Sequence, residues 1–166
     1  MATRFTHSAH IDAPIEAVFN SYSDEAFWHD RLRTVGTPKD SLDNFVVADD
    51  SITVTITQYI PDEDIPELGR KVLPGQLVIV RTSVYTDFDG ERFTGSAHAD
   101  AVSGLGRIEG GGEAVSQDGT ALESVAGQVK VSVPLLGGKL EKLVVSQLGR
   151  LFTAEYKHLD RWASSL

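Results

Sequence analysis

The residues with the most scope for chemistry are Glu155 and His158, near the C-terminal end of the chain. At 100° per residue both fall on the same helical arc as Leu148, Leu151, Phe152, Leu159 and Trp162. An unpaired carboxylate on such a face would cost several kcal/mol, so Glu155 must be hydrated, paired or protonated. It can reach an edge or pair with a strand arginine, or it can face a water- or ligand-filled cavity. His158 lies one turn away and shares that environment. A structural histidine is the plainer account of it. On the strands, Arg81, Tyr85 and His98 are further candidates for acid–base or orienting roles. Arg81 and Tyr85 share a parity with Leu77 and Ile79, opposite to Val78, Val80 and Val84. Both parities carry apolar residues, so the alternation alone leaves the inward face open.

Other chemistries lack their residues. No G-x-S-x-G elbow is present to activate a serine. The five histidines, His7, His10, His29, His98 and His158, are scattered. None forms an H-x-x-x-H or H-E-x-x-H pair, so neither a metal nor a cofactor is expected. There are no cysteines, which removes disulfides, thiolate ligands and cysteine nucleophiles. Gly110-Gly111-Gly112 is followed by neither a lysine nor a helix start, unlike a phosphate-cradling loop.

Charge and hydropathy narrow the partners. The formal net charge of −9 disfavours nucleic acid and anionic membrane surfaces. Hydrophobic residues make up 41%, enough for a folded core. No apolar run follows Arg4, and no stretch approaches the roughly 18 apolar residues of a membrane span. The expectation is one domain over residues 1–166, cytoplasmic, without integral membrane insertion.

These residues need elements to position them. Pro134 to Leu166 reads as one long amphipathic helix of about 28 residues, roughly 40 Å. Leu136, Leu140, Leu143 and Val144 extend its apolar arc. At the other end, Arg4 to Ile11 alternates as a half-buried strand with Phe5, His7, Ala9 and Ile11 on one face. Asp12 can then cap a helix with Pro14 in its first turn, and Ser23 or Asp24 can cap a second carrying Phe27, Trp28, Leu32 and Val35. From Leu42 to Val133 the chain reads as strands. Ile52, Val54 and Ile56 alternate with threonines, and hairpin signals stand at Asp49-Asp50, Asp89-Gly90, Ser103-Gly104 and Gln117-Asp118-Gly119. A polar loop from Pro61 to Pro74 has room for one helical turn. Glycines within the strands mark bends or close approaches.

The segment Ile11-Asp12-Ala13-Pro14-Ile15-Glu16-Ala17-Val18-Phe19, followed by Tyr22-Ser23-Asp24, resembles the opening of many bacterial helix-grip proteins, the superfamily of START domains, birch-pollen-allergen proteins and polyketide cyclases/aromatases. Val133 to Lys142 is similar to the closing segment of an uncharacterised actinobacterial branch. The resemblance covers nearly the whole chain. It implies an α+β helix-grip fold: a curved antiparallel sheet of about six to seven strands wrapped around a long C-terminal helix, with two short helices after strand one. It also implies a cavity between helix and sheet. Members bind lipids, sterols, hormones or polyketides there, and some are enzymes.

The expected function is therefore binding or transport of a small hydrophobic ligand, lipid or polyketide-like. Trp28, Leu148, Leu151, Phe152 and Leu159 would form the walls, and Glu155 or His158 would orient the polar head. Such a pocket typically runs to ~300–1,000 Å³. A cyclase using cavity acid–base residues is the first alternative. A regulatory module for a protein partner, with a filled interior, is the second.

Overall fold

The computed structural model describes residues 2–166. Strand β1 (Thr3–Ile11) leads into helices α1 (Ile15–Tyr22) and α2 (Glu25–Val35). Six strands follow: β2 (Ser41–Val47), β3 (Ser51–Ile60), β4 (Leu77–Thr86), β5 (Arg92–Ala101), β6 (Gly106–Gln117) and β7 (Thr120–Val131). Between β3 and β4 lie a 3-10 turn (Asp62–Asp64) and the short helix α3 (Glu67–Val72). Helix α4 (Gly137–Ser164) closes the chain. It starts three residues later than the proline suggests, because Pro134–Leu136 form a turn in which Leu135 takes a positive φ of 67°.

The sheet has the order β1-β7-β6-β5-β4-β3-β2 and is antiparallel throughout. Only the β7–β1 pairing joins strands distant in sequence, so each hairpin sets its neighbour's register. That register settles the parity on β4. The buried residues Ile52, Val54 and Ile56 pair with Tyr85, Ser83 and Arg81, so these face the helix and Val80 and Val84 face away. Followed across the sheet, the inward row runs through Gly95, Ala97 and Ala99, then Gly112, Gly110 and Ile108, then Val125, Gly127 and Val129.

Two of these glycines are required by close approach. A Cβ on Gly112 would collide with the carbonyl oxygen of Ser124, and one on Gly127 with that of Glu109. Here the backbones of β6 and β7 leave no room for a Cβ, and only glycine lets them come so near.

Helix α4 is clamped at both ends. At its start the buried carboxylate of Glu141 accepts from Thr3 Oγ1 at 2.8 Å and from the Val131 amide at 2.9 Å. At its end Asp160 accepts from the Asp12 amide at 2.7 Å, and Ser164 Oγ donates to the Asp12 carbonyl. Asp12 thus ties α4 to the chain near α1 instead of capping α1, which begins after Pro14 without a side-chain cap. Asp24 does cap α2, accepting from the Ala26 amide at 3.0 Å. The main core lies where α1, α2 and the last turns of α4 meet, around Tyr22, Phe27, Trp28, Phe93 and Leu159.

Candidate functional site: a cavity under the middle of α4

A cavity of about 150 Å³ lies between α4 and the concave face of the sheet. Its floor is the small-residue row of β5 and β6, Gly95, Ala97, Ala99, Gly110 and Gly112. Its roof is Leu148, Leu151 and Phe152 of α4, all half-buried. The space exists because the floor has almost no side chains to fill it.

One end of the cavity is polar. Arg81 donates from Nη1 and Nη2 to the two carboxylate oxygens of Glu155, at 2.8 and 3.0 Å. Arg31 approaches from α2, with Nη1 3.9 Å from Glu155 Oε1 and Nη2 donating to the Glu155 carbonyl at 3.2 Å. Its guanidinium lies 4.8 Å from the Phe27 ring centre and 5.1 Å from that of Trp28. Burial pushes the Glu155 carboxyl up, but Arg81 and then Arg31 outweigh it and hold the group below its ordinary range. Burial likewise works against the Arg81 charge, and Glu155 more than restores it. Glu155 is therefore an ionised, doubly paired carboxylate. It joins helix to sheet and lines the cavity at once.

A second buried acid stands beside this pair. Glu123, on β7, accepts a hydrogen bond from Tyr22 Oη at 2.7 Å, while its Oε2 is sealed in the packing without a partner. Burial pushes its carboxyl up to about 7, against the opposing pull of the Tyr22 hydrogen bond and Arg31. The Tyr22 ring stacks on that of Tyr85 at 4.1 Å between centres, 6° from parallel. Burial also raises Tyr85, to about 12, so its hydroxyl is protonated at neutral pH.

The structure divides the residues expected from the sequence. Leu148, Leu151, Phe152 and Glu155 line the cavity, with Arg81 and Tyr85 on the opposite wall. Trp28, His158 and Leu159 do not line it. Leu159 is fully buried in the core, and Trp28 is buried with Nε1 donating to the Tyr22 carbonyl at 2.8 Å. His158 turns toward α2, its Nε2 2.8 Å from Asp30 Oδ2 and its Nδ1 buried without a partner. Burial lowers its pKa more than Asp30 raises it, so the ring is neutral at pH 7 and donates from Nε2. His98 borders the cavity but is exposed, and its parity on β5 is that of the convex face. His7 does face inward, stacked on Tyr156 at 5.6 Å.

Glu123 and Arg31 escape the sequence reading although each carries a signal, and Gln58, Ser83 and Tyr156 on the cavity wall escape it too. Glu123 has the parity of Val125 and Val129 on β7, which places it inward with them. Arg31 lies four residues after Phe27 and three after Trp28, on the apolar side of α2.

Residues 6–163 match the family described as Protein of unknown function (DUF2505), and the chain belongs to that family. Among curated relatives, the uncharacterized protein Rv0481c of Mycobacterium tuberculosis is 23% identical over 172 residues, covering 99% of both chains. An uncharacterized protein of Mycobacterium bovis matches to the same extent. Among solved structures, TTHA0849 from Thermus thermophilus superposes with a TM-score of 0.63 at 14% identity, covering 98% of each chain. Ara h 8.0201 gives 0.59 at 9% identity over 96% of this chain and 98% of that one. The di-domain ARO/CYC protein BexL, from the BE-7585A biosynthetic pathway, gives 0.62 at 17% identity over 98% of this chain and 50% of its own length. At these identities the likeness is one of fold: the α+β helix-grip architecture that the opening and closing segments suggest. No helix among the described residues is long and apolar enough to cross a membrane.

Proposed function

We propose that this protein binds a small hydrophobic molecule in the cavity beneath α4, as a carrier or sensor of that molecule. One observation carries the reading: about 150 Å³ of mostly apolar space lies between α4 and the sheet, partly open to the surface. Native interiors hold few voids larger than a water molecule. In this reading Leu148, Leu151 and Phe152 contact the ligand, and Glu155 fixes the polar end of the site. Trp28, His158 and Leu159 support that end from behind. The fold shared with Ara h 8.0201 and BexL is consistent with it. A cytoplasmic location belongs to the same proposal, and cell fractionation checks it.

The cavity is smaller than the ~300–1,000 Å³ of a drug-sized pocket. A lipid or an extended polyketide is correspondingly disfavoured against a smaller compound. The partner-module alternative predicts a filled interior, and the open cavity weighs against it.

Native mass spectrometry of the purified protein, paired with thermal unfolding in the presence of small hydrophobic probes, tests the reading. A co-purifying small molecule or a probe-dependent rise in Tm is expected, and both should vanish in Ala97→Leu, which fills the floor. No bound mass and no shift with any probe would overturn it.

A second reading has one observation behind it. A carboxyl with a pKa of about 7, as at Glu123, suits general acid–base chemistry near neutrality. A cyclase-type reaction would then run through Glu123, because Glu155 is committed to Arg81, and the substrate would have to take the place of the Tyr22 hydroxyl on Glu123 Oε1. Turnover of a polyketide-like substrate, lost in Glu123→Gln with binding intact, would favour this reading over simple carriage.

A further inference from the structure

Charges dominate the polar end of the cavity, and each is already engaged within the protein. Both Nη atoms of Arg81 are taken by Glu155. Arg31 has Nη2 on the Glu155 carbonyl, Nη1 at ion-pair distance, 3.9 Å, from the Glu155 carboxylate, aromatic rings against its guanidinium, and Nε sealed in the packing. Glu123 Oε1 holds the Tyr22 hydroxyl, and its Oε2 is sealed too. An incoming anion would have to compete with the Glu155 carboxylate, which already faces both guanidiniums.

What remains available is neutral. Tyr85 and Ser83 on β4, Gln58 on β3 and Tyr156 on α4 line the cavity. Their polar side-chain atoms have no hydrogen-bond partner among the described residues, yet are not sealed like those of Arg31 and Glu123. Both tyrosines are protonated at neutral pH, since burial raises their pKa. Gly95 makes room for the Tyr85 ring, because a Cβ there would stand 3.3 Å from it. The volume sets the size: an apolar cavity of about 150 Å³ accepts a molecule such as benzene.

We infer that the cavity selects an uncharged, single-ring molecule bearing a hydroxyl or carbonyl group, held by the hydroxyls of Tyr85 and Tyr156. The inference rests on the ligand-binding reading above and narrows it to a chemical class. The ring fills the space between the glycine–alanine floor and the Leu151–Phe152 roof. The polar substituent meets tyrosine hydroxyls that otherwise lack a protein partner. The ion pairs behind them fix the geometry and exclude charged competitors.

Four probes, phenol, toluene, benzoate and palmitate, followed by calorimetry and by NMR shifts of the cavity residues, separate the outcomes. Phenol is expected to bind, with benzoate and palmitate at least ten-fold weaker. Tyr85→Phe and Tyr156→Phe should each weaken phenol about five-fold, the size of one neutral hydrogen bond, and leave toluene within two-fold. Tyr156 is only half-buried, so Tyr156→Phe keeps the test available if Tyr85→Phe unfolds. Tighter binding of benzoate or palmitate than of phenol would overturn the inference and leave the binding reading standing. So would phenol affinity unchanged in both variants. If none of the four probes binds, the binding reading fails first and the inference with it.

Discussion

The two halves of α4 carry one apolar arc and meet different surroundings. From Glu155 to Ala163 the inward residues are buried against α1 and α2, and Leu159 has no exposure at all. From Leu143 to Phe152 the inward residues Leu143, Val144, Leu148, Leu151 and Phe152 are apolar but only half-buried. The helix does not distinguish them, since leucines point inward in both. What differs is the opposing surface: Tyr22, Phe27 and Trp28 in one case, glycines and alanines of β5 and β6 in the other. A cavity here is a property of the floor, and the clamps at Glu141 and Asp160 keep the roof from collapsing onto it.

The boundary between the halves is the Glu155–Arg81–Arg31 cluster, and removing its anion should have the largest effect. Glu155→Gln leaves two buried guanidiniums without their carboxylate, and a loss of roughly 3–5 kcal/mol is expected. Urea denaturation measures it. A loss under 1 kcal/mol would mean that the cluster does not hold helix to sheet.

A leucine pair probes the contrast itself. Leu159→Ala should cost about 3 kcal/mol, the usual result of opening a hole in a packed core, while Leu151→Ala should cost nearer 1 kcal/mol, because space already lies beneath it. Equal losses in the same denaturation assay would abolish the distinction between a packed and an open half.

The third prediction concerns pH and is smaller. The pKa of Glu123 is raised to about 7 in the folded protein, from an ordinary value of 4.5. The folded state therefore holds this proton more tightly, and the stability it lends is lost as pH rises from about 4.5 through 7. Glu123→Gln should relieve that loss, gaining roughly 2 kcal/mol more at pH 8 than at pH 5. A gain independent of pH would show that Glu123 is not the group that titrates.

Much of the framework is legible before any coordinates. The alternation of β3, the start of α2 at Ser23 or Asp24 and the length of α4 follow from local periodicity and turn chemistry, which act over a few residues. The site is less so. Leu148, Leu151, Phe152 and Glu155 share one arc with Leu159 and His158, and nothing on the helix tells which of them will find a cavity and which a core. Arg81 and Tyr85 are ambiguous in the sequence because both faces of β4 are apolar, and only pairing with β3 across a loop of sixteen residues chooses between them. Glu123 carries its own signal, the parity it shares with Val125 and Val129.

By itself, the order of residues determined the elements and the amphipathic faces, because those depend on neighbours a turn or a pleat apart. Tertiary structure alone decided that Glu155, from the last helix, would meet Arg81 and Arg31, 74 and 124 positions earlier. It decided too that glycines from separate strands would fall into one row. Both are matters of register and chain crossing, which no short window of sequence contains.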